Sequence, residues 1–145
     1  MKKILFAGII AGTLDAITAI LLFAKPPNLH TTGRVFRFIA SGLLGRNAFA
    51  QGLFYPFAGL FLHYLIAVTW SAVYFLVLFR IFKPGSVWAK CILFASLIWI
   101  IMNGFVIPLC GLGAARFDGW AAMRSFSVLL ICVSLPICII AERKV

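Results

Sequence analysis

Residues 4–24 read ILFAGIIAGTLDAITAILLFA, an apolar run broken by a single acid, Asp15. About 20 mostly apolar residues are needed to cross a hydrocarbon core of about 30 Å, so the stretch is long enough to span a bilayer. Lys25-Pro26-Pro27 follows and ends the helix, because proline has no backbone N–H to continue it. The preceding MKK and the small residues near Asp15 resemble a signal peptide, but the run is longer than a signal core and holds an acid. A retained first helix is therefore expected.

The rest of the chain extends this reading. Of 145 residues, 64% are hydrophobic and 11% charged, whereas soluble domains run near half apolar and a quarter charged. Three further runs reach spanning length. The expected helices are about 4–24, 57–79, 91–109 and 124–141, and together they account for most of a single integral membrane domain over residues 1–145. Pro136 is expected to bend the last helix, which lipid-buried helices tolerate when neighbours satisfy the freed carbonyl. The fold class is all-α, a four-helix transmembrane bundle.

Between the first two spans, residues 33–49 read GRVFRFIASGLLGRNAF. At 100° per residue, Arg34, Arg37 and Ser41 fall within about 60° of one another, opposite Val35, Phe36, Ile39 and Leu43. This predicts a short amphipathic helix over about 34–46. It either lies at the interface with Arg34 and Arg37 among lipid headgroups or forms a re-entrant segment against the bundle.

The net charge is +10, from thirteen Lys and Arg against three acids. These basic residues stand at the ends of apolar runs and in short loops, a pattern of anchoring to anionic headgroups rather than of nucleic-acid binding. With four spans, Lys2, Lys3, Arg80, Lys83, Lys90, Arg143 and Lys144 share one side. Lys25, Arg34, Arg37, Arg46, Arg116 and Arg124 share the other. The positive-inside rule then puts both termini in the cytoplasm by one residue, and the near-balance leaves dual insertion open.

Direction and depth give Asp15 its interest. Gly8, Gly12, Asp15 and Ala19 fall within about 60° on the first helix, opposite Phe6, Ile10, Leu14, Ile17 and Leu21. A Gly8-xxx-Gly12 face lets a second helix approach closely, so Asp15 points into protein. It lies about 16 Å from Ile4, near mid-membrane. A carboxylate there costs about 2.5–3.5 kcal/mol on insertion scales. It reads either as a proton- or ligand-responsive site or as a protonated or hydrogen-bonded clip between helices.

Two partners present themselves. His63 shares a helical face with Gly59, Ala67 and Trp70, and Gly59 marks a second packing position. Asn103 shares a face with Ser96 and Trp99. By depth, Asn103 is expected to be the direct partner, with His63 connecting through a water or a small shift. Both also read simply as packing residues that hydrogen-bond between helices.

Cys91, Cys110, Cys132 and Cys138 form no CxxC pair and stand near no histidine at ligand spacing, so they read as small buried apolar residues, with no metal and no cofactor expected. Trp88 and Trp120 sit near expected membrane boundaries. Arg116 and Asp118 read as an exposed turn pair, and Glu142 as a terminal residue. No HExxH, P-loop, GxGxxG or serine triad is present, so no catalytic residue is assigned and an enzyme is disfavoured.

AGTLDA (11–16), FIASGLLGRNAFAQG (38–52), GLFLHYLIAVTWSAVY (59–74) and MNGFVIPLCGLG (102–113) together resemble small bacterial inner-membrane proteins of the YagU-like kind, which have longer loops. The resemblance implies four helices and a bacterial inner membrane. It carries no established activity, and so no catalytic residue. Three functions follow as expectations. The first is an accessory protein or subunit acting by helix–helix interaction, as a homo-oligomer or in a larger membrane complex. The second is a small proton-coupled transporter or channel titrating at Asp15. The third is a lipid-modifying membrane enzyme with His63 and Asp15 as acid and base.

Overall fold

The computed structural model describes residues 1–26, 28–50, 52–81, 86–109 and 118–142. Pro27, Lys83, Pro84, Gly85, Cys110, Arg116, Arg143 and Lys144 lie outside the described residues. Five helices make up the described chain: α1 (Lys2–Phe23), α2 (Leu29–Leu44), α3 (Phe54–Ile81), α4 (Val87–Leu109) and α5 (Gly119–Glu142). All but α2 are long and apolar enough to cross a membrane, the architecture of a multi-pass membrane protein. A 3₁₀ turn, Gly45–Phe49, follows α2.

The helices begin earlier than the hydropathy pattern suggests, and in α2, α4 and α5 a polar cap sets the start. Asn28 and Thr31 form a reciprocal capping box, with Asn28 Oδ1 accepting from Thr31 N at 2.9 Å and Thr31 Oγ1 from Asn28 N at 3.1 Å. This moves the start of α2 to Leu29, five residues before the expected Arg34. Ser86 caps α4 by accepting from Ala89 N at 3.2 Å, and Asp118 caps α5 by accepting from Trp120 N at 3.1 Å. Asp118 is thus a helix cap, and its expected turn partner Arg116 lies outside the described residues.

Two of the spanning helices widen into π-helical turns ahead of a proline. The first, Met102–Val106, ends two residues before Pro108; the second, Leu129–Ser134, ends two residues before Pro136. Proline offers no N–H to the carbonyl four residues back and its ring crowds that carbonyl. The backbone adapts by pairing Ile107 N with Met102 O and Leu135 N with Leu130 O. A third π turn, Tyr74–Leu78 in α3, has no such proline.

The core lies where the start of α1, the end of α3, the start of α4 and the end of α5 meet. Ala7, Ala11, Tyr74, Phe94, Ile98, Ile137, Cys91 and Cys138 are almost wholly buried there. Hydroxyls close it across helices: Ser71 donates to Ile4 O at 2.8 Å and Ser134 to Cys91 O at 2.7 Å. Lys90, at the start of α4, is 8% exposed and pairs with Glu142 at the end of α5. Glu142, which reads from the sequence as a terminal residue, joins two helix ends.

Glycines set the helix spacing. A Cβ on Gly8 would stand 2.7 Å from Val68 Cα, and one on Gly59 would stand 1.8 Å from the Phe36 carbonyl oxygen. The first contact brings α3 against α1, and the second lays α2 on α3. On α2, Phe36, Ala40 and Ser41 are buried, while Arg34, Phe38 and Leu43 are exposed. Ser41 therefore lies away from the headgroup-facing side where the helical wheel puts it, and its hydroxyl bonds the Phe38 carbonyl at 2.7 Å.

Candidate functional site

α1 divides its small face between two neighbours. Gly8 and Gly12 pack against Val68, Tyr64 and Ala67 of α3. Asp15 and Ala19, one and two turns further on, border a cavity of about 680 Å³ between α1, α4 and α5. The cavity runs from Asp15 and Leu129 at its inner end to Phe23, Asp118 and Arg124 at its outer end. Both widened helices border it: Met102, Asn103 and Gly104 from one π turn and Leu129 from the other lie on its wall. Single π turns inside helices occur frequently at functional sites.

Asp15 is the meeting point of the cavity and the α1–α3 contact. Its side chain is 25% exposed. On the side away from the cavity, His63 Nε2 lies 4.0 Å from Asp15 Oδ2 and 2.9 Å from the Gly12 carbonyl oxygen. A carbonyl only accepts, so Nε2 carries a proton and donates to Gly12. The imidazole is held in place by edge-on packing against Phe36 and Tyr64. Tyr64 adds a second tie to α1, with its hydroxyl 3.0 Å from Thr13 Oγ1.

The expected order of partners is reversed. Asn103 Nδ2 donates to Trp99 O in its own helix at 2.9 Å, and among the described residues no hydrogen bond joins it to Asp15. The reason is helix offset. α3 starts at Phe54, so His63 lies nine residues in, about 14 Å by the rise of an α-helix; Asp15 lies eight residues before the end of antiparallel α1, about 12 Å. The two therefore share a level. Asn103 lies sixteen residues into α4, about 24 Å, against about 20 Å for Asp15 from the start of α1, nearly a turn deeper. It shares the cavity with Asp15 but hydrogen-bonds within its own helix.

The remaining wall is apolar and aromatic. Trp99 Nε1 donates to Ser125 Oγ at 3.0 Å, tying α4 to α5. At the outer end the Arg124 guanidinium stands 5.7 Å from the Phe23 ring centre. Ser125 is not singled out by the sequence, and Trp99 and Arg124 enter it only as a face neighbour of Asn103 and as a topology charge, because the facing sides of their helices are decided only by packing. Chemically, the inner end offers a carboxylate, an amide oxygen and an indole face. That set suits a cation with an apolar body, through charge pairing and cation–π attraction. Among the described residues, no three His, Cys, Asp or Glu side chains converge as a metal site.

The second group of expected site residues lies elsewhere. Arg34 is exposed on α2. Arg37 is turned back onto its own chain, donating to Ala50 O at 2.8 Å and Gly52 O at 2.9 Å. No known protein family matches the chain, and comparisons with curated proteins and with solved structures return no match.

Proposed function

We propose that the protein is a small proton-coupled transporter of the bacterial inner membrane, taking a cationic, mostly apolar solute into the α1–α4–α5 cavity. The observation that carries this reading is the position of Asp15 between that cavity and the His63 Nε2 proton. A carboxylate serving only as a helix clip has no need of an open cavity beside it. Here one face of the carboxylate meets solute and the other meets a donor that already has an alternative acceptor, the Gly12 carbonyl. A short shift of the imidazole toward Asp15 forms a charge-assisted hydrogen bond, and the return shift releases it. Solute cation and a proton taken up from water compete for the same carboxylate, while the His63 N–H steadies its ionised form, and that competition is the minimum requirement for coupled exchange.

The excess of one basic residue supports both termini in the cytoplasm, and the cavity mouth, with Asp118 and Arg124, then faces the opposite side. The accessory-subunit reading draws less support, because the Gly8-Gly12 face that would receive a partner helix is filled by α3 of the same chain. The enzyme reading is weaker still, since His63 is buried and does not line the cavity.

The test is flux in proteoliposomes loaded with a pH-sensitive dye. A lipophilic cation added to wild-type vesicles should drive proton release, and Asp15→Asn should abolish it while leaving the protein inserted and helical. Unchanged flux in Asp15→Asn sinks the transport reading.

A further inference from the structure

A second cavity, of about 730 Å³, lies between α2, the 3₁₀ turn and the first turns of α3. We infer that this groove is a binding site for an anionic glycerophospholipid, independent of the Asp15 cavity. Its composition divides into two parts. Phe49, Phe57 and Leu60 supply apolar wall, and Leu53 to Leu60 spans about 10 Å along α3, room for a glycerol backbone and the upper acyl chain. His30, Arg34 and Arg37 supply the rim.

Charge complementarity selects the occupant. The chain has three acids, Asp15, Asp118 and Glu142, and none falls between residues 25 and 60, which hold Lys25, Arg34, Arg37 and Arg46. Arg34 is exposed and has no hydrogen-bond or ion-pair partner among the described residues. Arg37 is held at the rim by the carbonyls of Ala50 and Gly52, so its charge is fixed in place. An apolar groove under two guanidinium groups, with no carboxylate to neutralise them, matches a molecule with a negative head and an apolar tail. Arginine recognises phosphate geometry directly, and juxtamembrane basic residues are attracted to anionic lipid.

Gly33 lies on the groove wall. A Cβ there meets only Pro56 Cβ, at 3.9 Å, so a longer side chain projects into the groove without striking backbone. Gly33→Leu should also favour the helix by propensity. It removes the space while leaving every charge in place, whereas Arg34→Gln removes a charge and leaves the space.

The experiment is native mass spectrometry of the purified full chain in detergent, offered phosphatidylglycerol or phosphatidylcholine. The wild type should retain phosphatidylglycerol at least about tenfold better than phosphatidylcholine. Arg34→Gln should lower that retention about fivefold, and Gly33→Leu should abolish it with helicity unchanged by circular dichroism. Equal retention of the two lipids overturns the site, as does wild-type retention in either folded variant; if Gly33→Leu fails to fold, Arg34→Gln alone decides. Displacement of the lipid by millimolar glycerol phosphate also overturns it, because the headgroup anion alone would then be what binds.

Discussion

His63 Nε2 donates to the Gly12 carbonyl at 2.9 Å while standing 4.0 Å from Asp15 Oδ2, so one buried proton has two acceptors on the same helix. One acceptor is neutral and fixed in the backbone of α1. The other is a carboxylate that also faces the cavity between α1, α4 and α5. The imidazole therefore links helix packing to whatever occupies that cavity.

Replacing His63 should separate these roles. His63→Ala loses the Gly12 hydrogen bond and leaves a gap under Phe36, at a cost of about 1–3 kcal/mol. His63→Gln keeps an N–H donor and should cost less. Unfolding titrations in mixed detergent micelles give the stabilities. The proton release coupled to solute should fall in His63→Ala, which loses the N–H beside Asp15, and be partly kept in His63→Gln, whose amide N–H replaces it.

The glycine contacts predict opposite outcomes for the same substitution at two positions. Gly59→Ala puts a methyl group 1.8 Å from the Phe36 carbonyl, so α2 must lift from α3, costing about 1–3 kcal/mol. Gly104→Ala meets nothing within 4 Å and should leave stability unchanged or slightly raised. Limited proteolysis of α2 should accelerate in the first variant and not in the second.

Lys90 and Glu142 should behave as a coupled pair. Lys90→Met leaves Glu142 without its cation in a part-buried position, and Glu142→Gln leaves a buried ammonium; each should cost about 1–3 kcal/mol. The double variant should recover part of that loss, because it removes both desolvated charges. A double-mutant cycle read by unfolding measures the coupling, and strict additivity would refute it.

Pro108 and Pro136 should matter to the cavity more than to the fold. Alanine at either position restores an N–H to the carbonyl four residues back, that of Gly104 or Cys132, and removes the reason for the π turn. Each variant should insert normally, and each should hold a lipophilic cation more weakly, measured by equilibrium binding in detergent. Unchanged affinity in both would separate the π turns from the cavity.

The helical wheel of α1 makes clear from residue order alone that Asp15 shares a side with Gly8 and Gly12, away from Phe6, Leu14 and Leu21. Periodicity is a local property, and a helix of this length holds it against any neighbour. The same reasoning is weaker for α2. There the burial of Ser41 and the recruitment of Arg37 by Ala50 and Gly52 depend on a chain reversal that no periodicity records.

Sequence by itself determined four apolar spans, the amphipathic segment between the first two, and the direction in which Asp15 points. Each follows from composition and a repeat of about 3.6 residues, which act within a single helix. Tertiary structure alone decided that His63 rather than Asn103 stands beside Asp15, that Lys90 meets Glu142, and that two proline-linked π turns line one cavity. These depend on where capped helices start and how far one slides along the next. An offset of a few residues shifts a side chain by about a turn, 5.4 Å, more than the difference between a hydrogen bond and none.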